Sequence, residues 1–266
     1  MSNPIAVAAT GPFGADVLDR LAARHEIACL LTRPDAPSGR GRKLSWPPAK
    51  EVAERLGIPV LQPERLEPGL DLRAPTVVAV AYGRIVPDSL LGQRLWLNVH
   101  PSLLPRWRGA APVERALMAG DDETGVTIIR LVKELDAGPI AAQQAFAIEP
   151  ADDAGAVYAK AAPLAVDLLE DVLAEPSFRP QPEEGVTHAE KISAEDRVLD
   201  LSRPAVELVN AVRALSPHIG ARAELRGRTV TVWRARVGED ESFAPLEVQP
   251  AGGRRMEYEA WLRGLR

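Results

Sequence analysis

Asn98 and His100 stand two positions apart at the end of an apolar run, within the stretch LNVHPSLLPRWRGAAPVER that covers residues 97–115. Residues two apart on a β-strand project from the same face of the strand. An Asn amide can stabilise an oxygen on which negative charge develops, and a His ring can exchange a proton near neutral pH. The pair therefore suits acid–base chemistry at a carbonyl group, although an isolated Asn-x-His pattern is usually a structural accident.

Asp136 is the third candidate for this chemistry. The segment 134–138 (ELDAG) separates two apolar runs, and its composition is typical of a turn between two strands. A carboxylate in that turn could orient His100 or help to take up a proton. Together, Asn98, His100 and Asp136 suit the direct transfer of an acyl-type group to an amine through a tetrahedral intermediate, without a covalent bond to the enzyme.

Other reaction classes fit the sequence poorly. The four histidines form no cluster with the spacing of a zinc site. The chain has no Walker loop, no GxSxG elbow and no GxGxxG motif. The single cysteine, Cys29, lies in an apolar run, which predicts a buried thiol and excludes an internal disulfide. We therefore expect a metal-free reaction.

Composition and charge limit the broad class of the protein. The chain is 46% hydrophobic and 26% charged, which is typical of a soluble globular protein. A net charge of -5 argues against a surface coated with nucleic acid, but it allows a local basic patch. The N-terminal MSNPIAVAAT has no basic region before its apolar residues, unlike a signal peptide, so we predict a cytoplasmic protein.

Strands and helices are predicted to alternate up to about residue 175. Apolar runs and helical spacing predict strands at 4–10, 27–32, 76–81 and 95–100, and helices at 15–24, 49–56 and 112–118. Two further strands, 124–131 and 139–148, are expected to form a hairpin at one edge of the sheet. This alternation predicts an α/β fold with a Rossmann-like, mostly parallel sheet.

The Pro-rich segment EPSFRPQPEE (175–184) is the best candidate for a linker. We therefore predict a catalytic domain at 1–175, a linker at 176–196 and a small C-terminal domain at 197–266.

The predicted C-terminal strands carry several arginines. Because side chains alternate between the two faces of a strand, the arginines of each strand would lie on one face, if no bulge intervenes. These arginines all have even numbers: Arg222, Arg226, Arg228, Arg234 and Arg236.

The residues NVHPSLLPRWRGAAPVERALMAGDDETGVTI (98–128) closely resemble the signature region of methionyl-tRNA formyltransferases, which are folate-dependent enzymes. The resemblance covers most of the chain. It includes TRPDAPSGRGRKL (32–44), AYGRIVP (81–87), LDAGPI (135–140) and HAEKIS (188–193). The resemblance implies a Rossmann-like formyltransferase domain followed by a small, β-barrel-like C-terminal domain.

The same resemblance implies an activity and residue roles. The family transfers the formyl group of 10-formyltetrahydrofolate to the amine of methionine on the initiator tRNA. By position, Asn98, His100 and Asp136 match its catalytic trio. The matching folate-contacting residues are Ser102, Leu103, Leu104 and Pro105, and the basic loop expected at the tRNA acceptor end contributes Arg40, Arg42 and Lys43. The expected partners are tetrahydrofolate and methionyl-initiator tRNA, bound by a monomer without a metal ion.

The C-terminal domain departs from the family because it is short. The chain passes from Val237 almost directly to a segment that resembles the family's last strand and helix, so several barrel strands are expected to be missing.

Other interpretations of the function also stay open. The trio is shared by folate-dependent formyltransferases that act on an amino-sugar nucleotide or on glycinamide ribonucleotide. A formyl-folate hydrolase and a non-catalytic RNA-binding protein are further alternatives.

Overall fold

The computed structural model of the protein describes residues 3–38 and 43–265. The strands are β1 (Ile5–Ala9), β2 (Ile27–Leu31), β3 (Ala36–Ser38), β4 (Lys43–Ser45), β5 (Val60–Leu61), β6 (Thr76–Val80), β7 (Leu95–His100), β8 (Arg108–Gly109), β9 (Glu123–Arg130), β10 (Ile140–Ala147), β11 (His188–Ala189), β12 (Ala221–Leu225), β13 (Arg228–Val237), β14 (Phe243–Pro250) and β15 (Met256–Glu257). The helices are α1 (Pro12–Ala22), α2 (Pro48–Leu56), α3 (Asp88–Leu91), α4 (Pro112–Ala119), α5 (Ala154–Ala174), α6 (Ala205–Leu215) and α7 (Tyr258–Arg263). Within the described ranges, no helix has both the length and the apolar character needed to cross a membrane.

The main sheet is Rossmann-like, as the sequence predicts. Its strand order is β10-β9-β7-β6-β1-β2-β5. The strands from β7 to β5 pair in parallel, and β9 is antiparallel to β7. The residues of β1 are at most 3% exposed, because both faces of a parallel sheet are covered by the intervening helices and loops. The predicted hairpin of β9 and β10 is confirmed at one edge of the sheet.

Short-range signals set the limits of the helices. Helices α2 and α4 begin with a Pro in the first turn, where the missing N–H needs no partner. Both end at a glycine in the left-handed region, Gly57 with φ 71° and Gly120 with φ 76°. Helix α1 lies very close to the sheet at Gly14, where a Cβ atom would be 2.5 Å from the carbonyl oxygen of Val80.

The chain forms two compact units. The first unit consists of Met1–Arg108, Gly125–Ala145 and Ala159–Thr187, and the second unit of Gly109–Thr124, Phe146–Tyr158 and His188–Arg266. In the first unit, a large apolar cluster includes Leu31, Val77 and Trp96. In the second unit, α6 packs on the antiparallel sheet β12-β13-β14-β15 around Leu208 and Val232. The predicted domain limits at 175 and 196 stay a prediction.

The arginines of one strand were expected to share a face only without a bulge, and this condition fails in β13, because its register against β14 shifts on both sides of Arg234. Val232 pairs with Val248 while Arg234 pairs with Glu247, so Trp233 is an extra residue in its strand. Arg222 alternates with buried alanines on β12 and is exposed. The arginines are therefore distributed over more than one face of the small sheet.

Candidate active site

Strand β7 carries Asn98 and His100 on the same face. It pairs with β6 on one side and with β9 on the other, so its backbone is held from both sides. The alternate residues Leu97 and Val99 are buried on the opposite face. His100 is only 4% exposed and Asn98 is half-buried. The strand therefore presents both polar side chains in fixed directions.

The turn between β9 and β10 brings Asp136 to this pair. Asn98 Nδ2 donates a hydrogen bond to Asp136 Oδ1 at 3.3 Å across 38 positions of sequence. Asp136 Oδ2 lies 3.7 Å from His100 Nδ1, and both side chains are under 10% exposed. Asp136 has a φ of 49°, which a residue with a side chain adopts only where the surroundings hold it. The three predicted catalytic residues thus lie together in the structure.

His100 also contacts the loop that follows it. Its Nε2 lies 2.8 Å from the carbonyl oxygen of Trp107. A carbonyl oxygen only accepts hydrogen bonds, so Nε2 carries a hydrogen in this arrangement. The other ring nitrogen, Nδ1, faces the Asp136 carboxylate.

Thr127 holds the segment Ser102–Pro105 against β9. Its hydroxyl donates to the carbonyl oxygen of Ser102 at 2.6 Å and accepts from the amide of Leu104 at 3.2 Å. Gln143 Nε2 lies 2.9 Å from the same hydroxyl and 2.8 Å from the carbonyl oxygen of Leu104. The side chains of Ser102 and Leu104 are buried, whereas Leu103 and Pro105 are half-buried. Leu103, Pro105 and the adjoining backbone are thus the parts of this segment that a ligand can reach.

The basic loop is described only at its ends. Arg40 and Arg42 lie outside the described residues. Lys43 begins β4, which pairs with β3 in a short antiparallel ladder from Ala36↔Ser45 to Ser38↔Lys43. At the base of this loop, Asp35 accepts hydrogen bonds from Gln62 and Lys50, and these contacts lower the pKa of its carboxyl group.

Sequence reasoning did not single out Gln181. Its Nε2 donates hydrogen bonds at 2.7 Å to the carbonyl oxygens of Asp136 and Gly138. Its Oε1 accepts from the Nε and Nη2 of Arg108. The one signal in the sequence is a single amide side chain between Pro180 and Pro182, in a segment predicted as a linker. In the structure this segment belongs to the first unit, where Arg179 and Ile140 of β10 exchange backbone hydrogen bonds.

Cys29 takes no part in this site. It is 1% exposed, and its Sγ donates to the carbonyl oxygen of Leu72. Burial raises the pKa of the thiol to about 11, so it stays protonated at neutral pH. The expectation of a buried core thiol is confirmed.

Comparisons with known proteins give the family of the chain. The family model described as "Formyl transferase" matches residues 4–173, and "Formyl transferase, C-terminal domain" matches residues 191–246. A methionyl-tRNA formyltransferase of Dechloromonas aromatica is 38% identical over 97% of this chain and 94% of its own length. A methionyl-tRNA formyltransferase of Halorhodospira halophila is 39% identical over 100% of this chain and 97% of its own length.

A solved structure shares the fold at lower sequence identity. It is that of HypX from Aquifex aeolicus in complex with tetrahydrofolic acid, with a TM-score of 0.70 at 17% identity. The match covers 98% of this chain and 47% of the HypX chain. The two family matches span most of the sequence, and the relatives align over nearly its whole length. The chain therefore belongs to the formyl transferase family, whose matched relatives are methionyl-tRNA formyltransferases.

Proposed function

We propose that the protein transfers the formyl group of 10-formyltetrahydrofolate to the amine of methionyl-initiator tRNA. The observation that carries the proposal is that the Asp136 carboxylate lies 3.3 Å from Asn98 Nδ2 and 3.7 Å from His100 Nδ1. The methionyl-tRNA formyltransferases that match nearly the whole chain support this acceptor over others. We place the reaction in the cytoplasm, with the protein acting as a monomer.

In the proposed reaction, the unprotonated amine forms a bond to the formyl carbon, and the bond from that carbon to the folate nitrogen breaks. One proton leaves the amine and one reaches the folate nitrogen, so charge is conserved. Asn98 donates its amide hydrogen to the formyl oxygen as negative charge develops there. Protonated His100 provides a second donor through Nδ1, because its Nε2 is already held by Trp107.

Asp136 has two roles in this proposal. Its carboxylate stabilises the positive charge of His100 from a distance of 3.7 Å. It also assists removal of the proton from the attacking amine, directly or through a water molecule. The buried position of the carboxylate strengthens both effects, because a low local dielectric increases the interaction between charges.

The folate is proposed to lie against the segment Ser102–Pro105. Leu103 and Pro105 offer apolar contacts for its rings, whereas buried Ser102 and Leu104 shape the segment from behind. The tRNA acceptor end is proposed to contact Arg40, Arg42 and Lys43 through its phosphates. Folate and tRNA would then be bound by separate parts of the chain.

A formyl-transfer assay tests the proposal. Purified protein receives 10-formyltetrahydrofolate with methionyl-initiator tRNA, free methionine or an amino-sugar nucleotide, and formylated product is measured for each acceptor. We expect transfer to the charged tRNA alone. Transfer to the sugar nucleotide but not to the tRNA would contradict the proposed acceptor and support the other formyltransferase activity.

The variant Arg40→Ala separates the two binding roles. It is expected to raise the KM for tRNA and to leave the KM for the folate unchanged, because the loop is proposed to bind phosphates only. The effect on the tRNA should shrink as the salt concentration increases, since salt competes for the same charges. A folate defect in this variant would show that the loop has been assigned to the wrong substrate.

A further inference from the structure

All of the polar capacity of the Gln181 side-chain amide is used around the turn that carries Asp136. Both hydrogens of Nε2 are donated at 2.7 Å, one to the carbonyl oxygen of Asp136 and one to that of Gly138. Oε1 accepts from Arg108 Nη2 at 2.7 Å and from Arg108 Nε at 3.0 Å. One side chain, 45 positions away in sequence, therefore ties two backbone carbonyls of the turn to a guanidinium group.

The contacts allow one orientation of the amide. If the amide were rotated by half a turn, Oε1 would face two carbonyl oxygens and Nε2 would face the guanidinium donors of Arg108. Every contact would then be repulsive. Arg108 is held in turn, because its backbone N–H donates to the carbonyl oxygen of Thr187 at 2.9 Å. The donors of Gln181 are thus directed at the turn by Arg108.

The turn is strained at Asp136 and anchored at Gly138. Asp136 has left-handed backbone geometry, with a φ of 49°, which costs free energy in a residue with a side chain. Gly138 lies so close to β9 that an added Cβ atom would overlap the carbonyl oxygen of Arg130. The backbone at Gly138 is therefore located by β9, and the carbonyl at Asp136 by Gln181. Between these two points, the Asp136 carboxylate faces Asn98 and His100.

We propose that Gln181 is a positioning residue for Asp136, and that Arg108 acts through Gln181. This inference rests on the proposed function, because the proposed function gives Asp136 its role in formyl transfer. A carboxylate displaced by about 1 Å can lower the rate by as much as about a hundredfold, because proton transfer and charge stabilisation depend steeply on distance. Gln181 acts on the backbone of the turn and does not touch the reacting atoms.

The same residues line an open cleft of about 550 Å³, which makes substrate binding by Gln181 the competing interpretation. Arg108, Gln181, Glu183 and Pro139 all border this cleft. A residue that binds the acceptor would change its KM, whereas a residue that positions Asp136 would change kcat. Steady-state kinetics therefore distinguishes the two roles.

The central variant is Gln181→Glu, with Gln181→Ala as its partner. Glutamate keeps an acceptor for Arg108 and nearly the same shape, but it loses both donors to the turn. We expect both variants to lower kcat about tenfold to a hundredfold, with the KM of each substrate changed less than about twofold. Glu184→Gln is the matched control, since Glu184 is exposed on the same segment, and it should leave kcat unchanged.

A double-mutant cycle tests whether Arg108 acts through Gln181. If it does, Arg108→Ala, Gln181→Ala and the double variant should share nearly the same kcat, because the second change removes nothing more. Losses that multiply in the double variant would overturn this part of the proposal. Full activity of Gln181→Glu, or a raised acceptor KM at unchanged kcat, would overturn the positioning role itself.

A spectroscopic measurement separates this inference from the proposed function. The ring ¹⁵N resonances of His100 are recorded for the wild type and for Gln181→Glu in the absence of substrates. The positioning role predicts a changed Nδ1 resonance, because Nδ1 faces Asp136, and no change for Glu184→Gln. Unchanged resonances would contradict the inference. Failure of the wild type to formylate the charged tRNA would instead contradict the proposed function.

Discussion

His100 Nε2 donates a hydrogen bond to the carbonyl oxygen of Trp107 at 2.8 Å, and this contact decides which ring nitrogen faces Asp136. Trp107 itself has a φ of 65°, so the loop turns sharply at this residue to present its carbonyl group. The loop after β7 thereby determines that Nε2 of the His100 ring carries a hydrogen. The prediction for His100 depends on this relationship.

The variant His100→Gln is expected to lower kcat by about 10²-fold to 10⁴-fold, because a glutamine amide cannot exchange a proton. Its Nε2 can still donate to Trp107, so the loop should keep its conformation. Thermal unfolding should therefore change little, and the loss should appear in kcat measured with saturating substrates. Turnover close to that of the wild type would remove His100 from the proposed mechanism.

Thr127→Val tests the support of the segment proposed to bind folate. Valine has almost the same shape, but it leaves the carbonyl of Ser102 and the amide of Leu104 without their hydroxyl partner. We expect a loss of about 2 kcal/mol in the free energy of unfolding, because buried polar groups lose their hydrogen bonds. The KM for the folate should rise as well, measured in the same preparation.

Thr124→Val is the matched control on the same strand. The Thr124 hydroxyl is buried, and it has no hydrogen-bond partner among the residues that the structure describes. Its replacement should leave stability unchanged or increase it, since no bond is lost and an unsatisfied polar group is removed. Equal destabilisation by both variants would mean that the Thr127 hydrogen bonds contribute little.

Asp196→Asn tests an ion pair in the second unit. The Asp196 carboxylate accepts two hydrogen bonds from Arg115, at 2.8 and 2.9 Å, and another from the amide of Ser193. The hydrogen bonds from Arg115 and Ser193 lower the pKa of Asp196 to about 2. Because the side chain is 25% exposed, we expect the variant to lose about 1 kcal/mol at neutral pH.

The stabilisation by Asp196 should depend on pH in a defined direction. A carboxyl whose pKa is lower in the folded protein stabilises the fold above its unfolded pKa of about 4. That contribution is lost as the pH falls through about 4 and then through about 2, because the group is protonated in both states only below both values. Denaturant unfolding of both proteins over this range should show the difference between them shrinking. A constant difference would contradict the assignment.

Glu114→Gln tests a half-buried acid with the opposite behaviour. Tyr158 donates its hydroxyl hydrogen to the Glu114 carboxyl, at 3.2 and 3.3 Å. Burial raises the pKa of Glu114, since the charged form is poorly solvated there. This group therefore favours the fold at low pH, and that contribution is lost as the pH rises through the raised pKa.

Glutamine at position 114 keeps an acceptor for Tyr158 and removes the charge. We expect the free energy of unfolding of the variant to change less between about pH 4 and pH 8 than that of the wild type. At the higher pH, the variant should be at least as stable as the wild type. A variant that is less stable at both pH values by the same amount would show that the charge of Glu114 has no unfavourable effect.

The sequence by itself determined the individual strands and helices, and it placed Asn98 and His100 on one face of β7. Apolar runs predicted β1, β2, β6 and β7 to within one or two residues, because strands buried on both faces require continuous apolar sequence. Gly57 and Gly120 end helices α2 and α4, since glycine adopts the left-handed conformation at little cost. Asn98 and His100 share a face because side chains alternate along a strand. All of these rules act over a few residues.

Only the tertiary structure decided how distant segments complete the site. No local rule places Asp136 within 3.7 Å of His100, because that distance depends on the path of a turn across the sheet. Gln181 reaches the same turn from a segment whose prolines predict a linker. The bulge at Trp233, which separates the arginines, follows from how β13 fits against β14. Each feature depends on packing between segments remote in sequence, and periodicity within one segment carries no information about that packing.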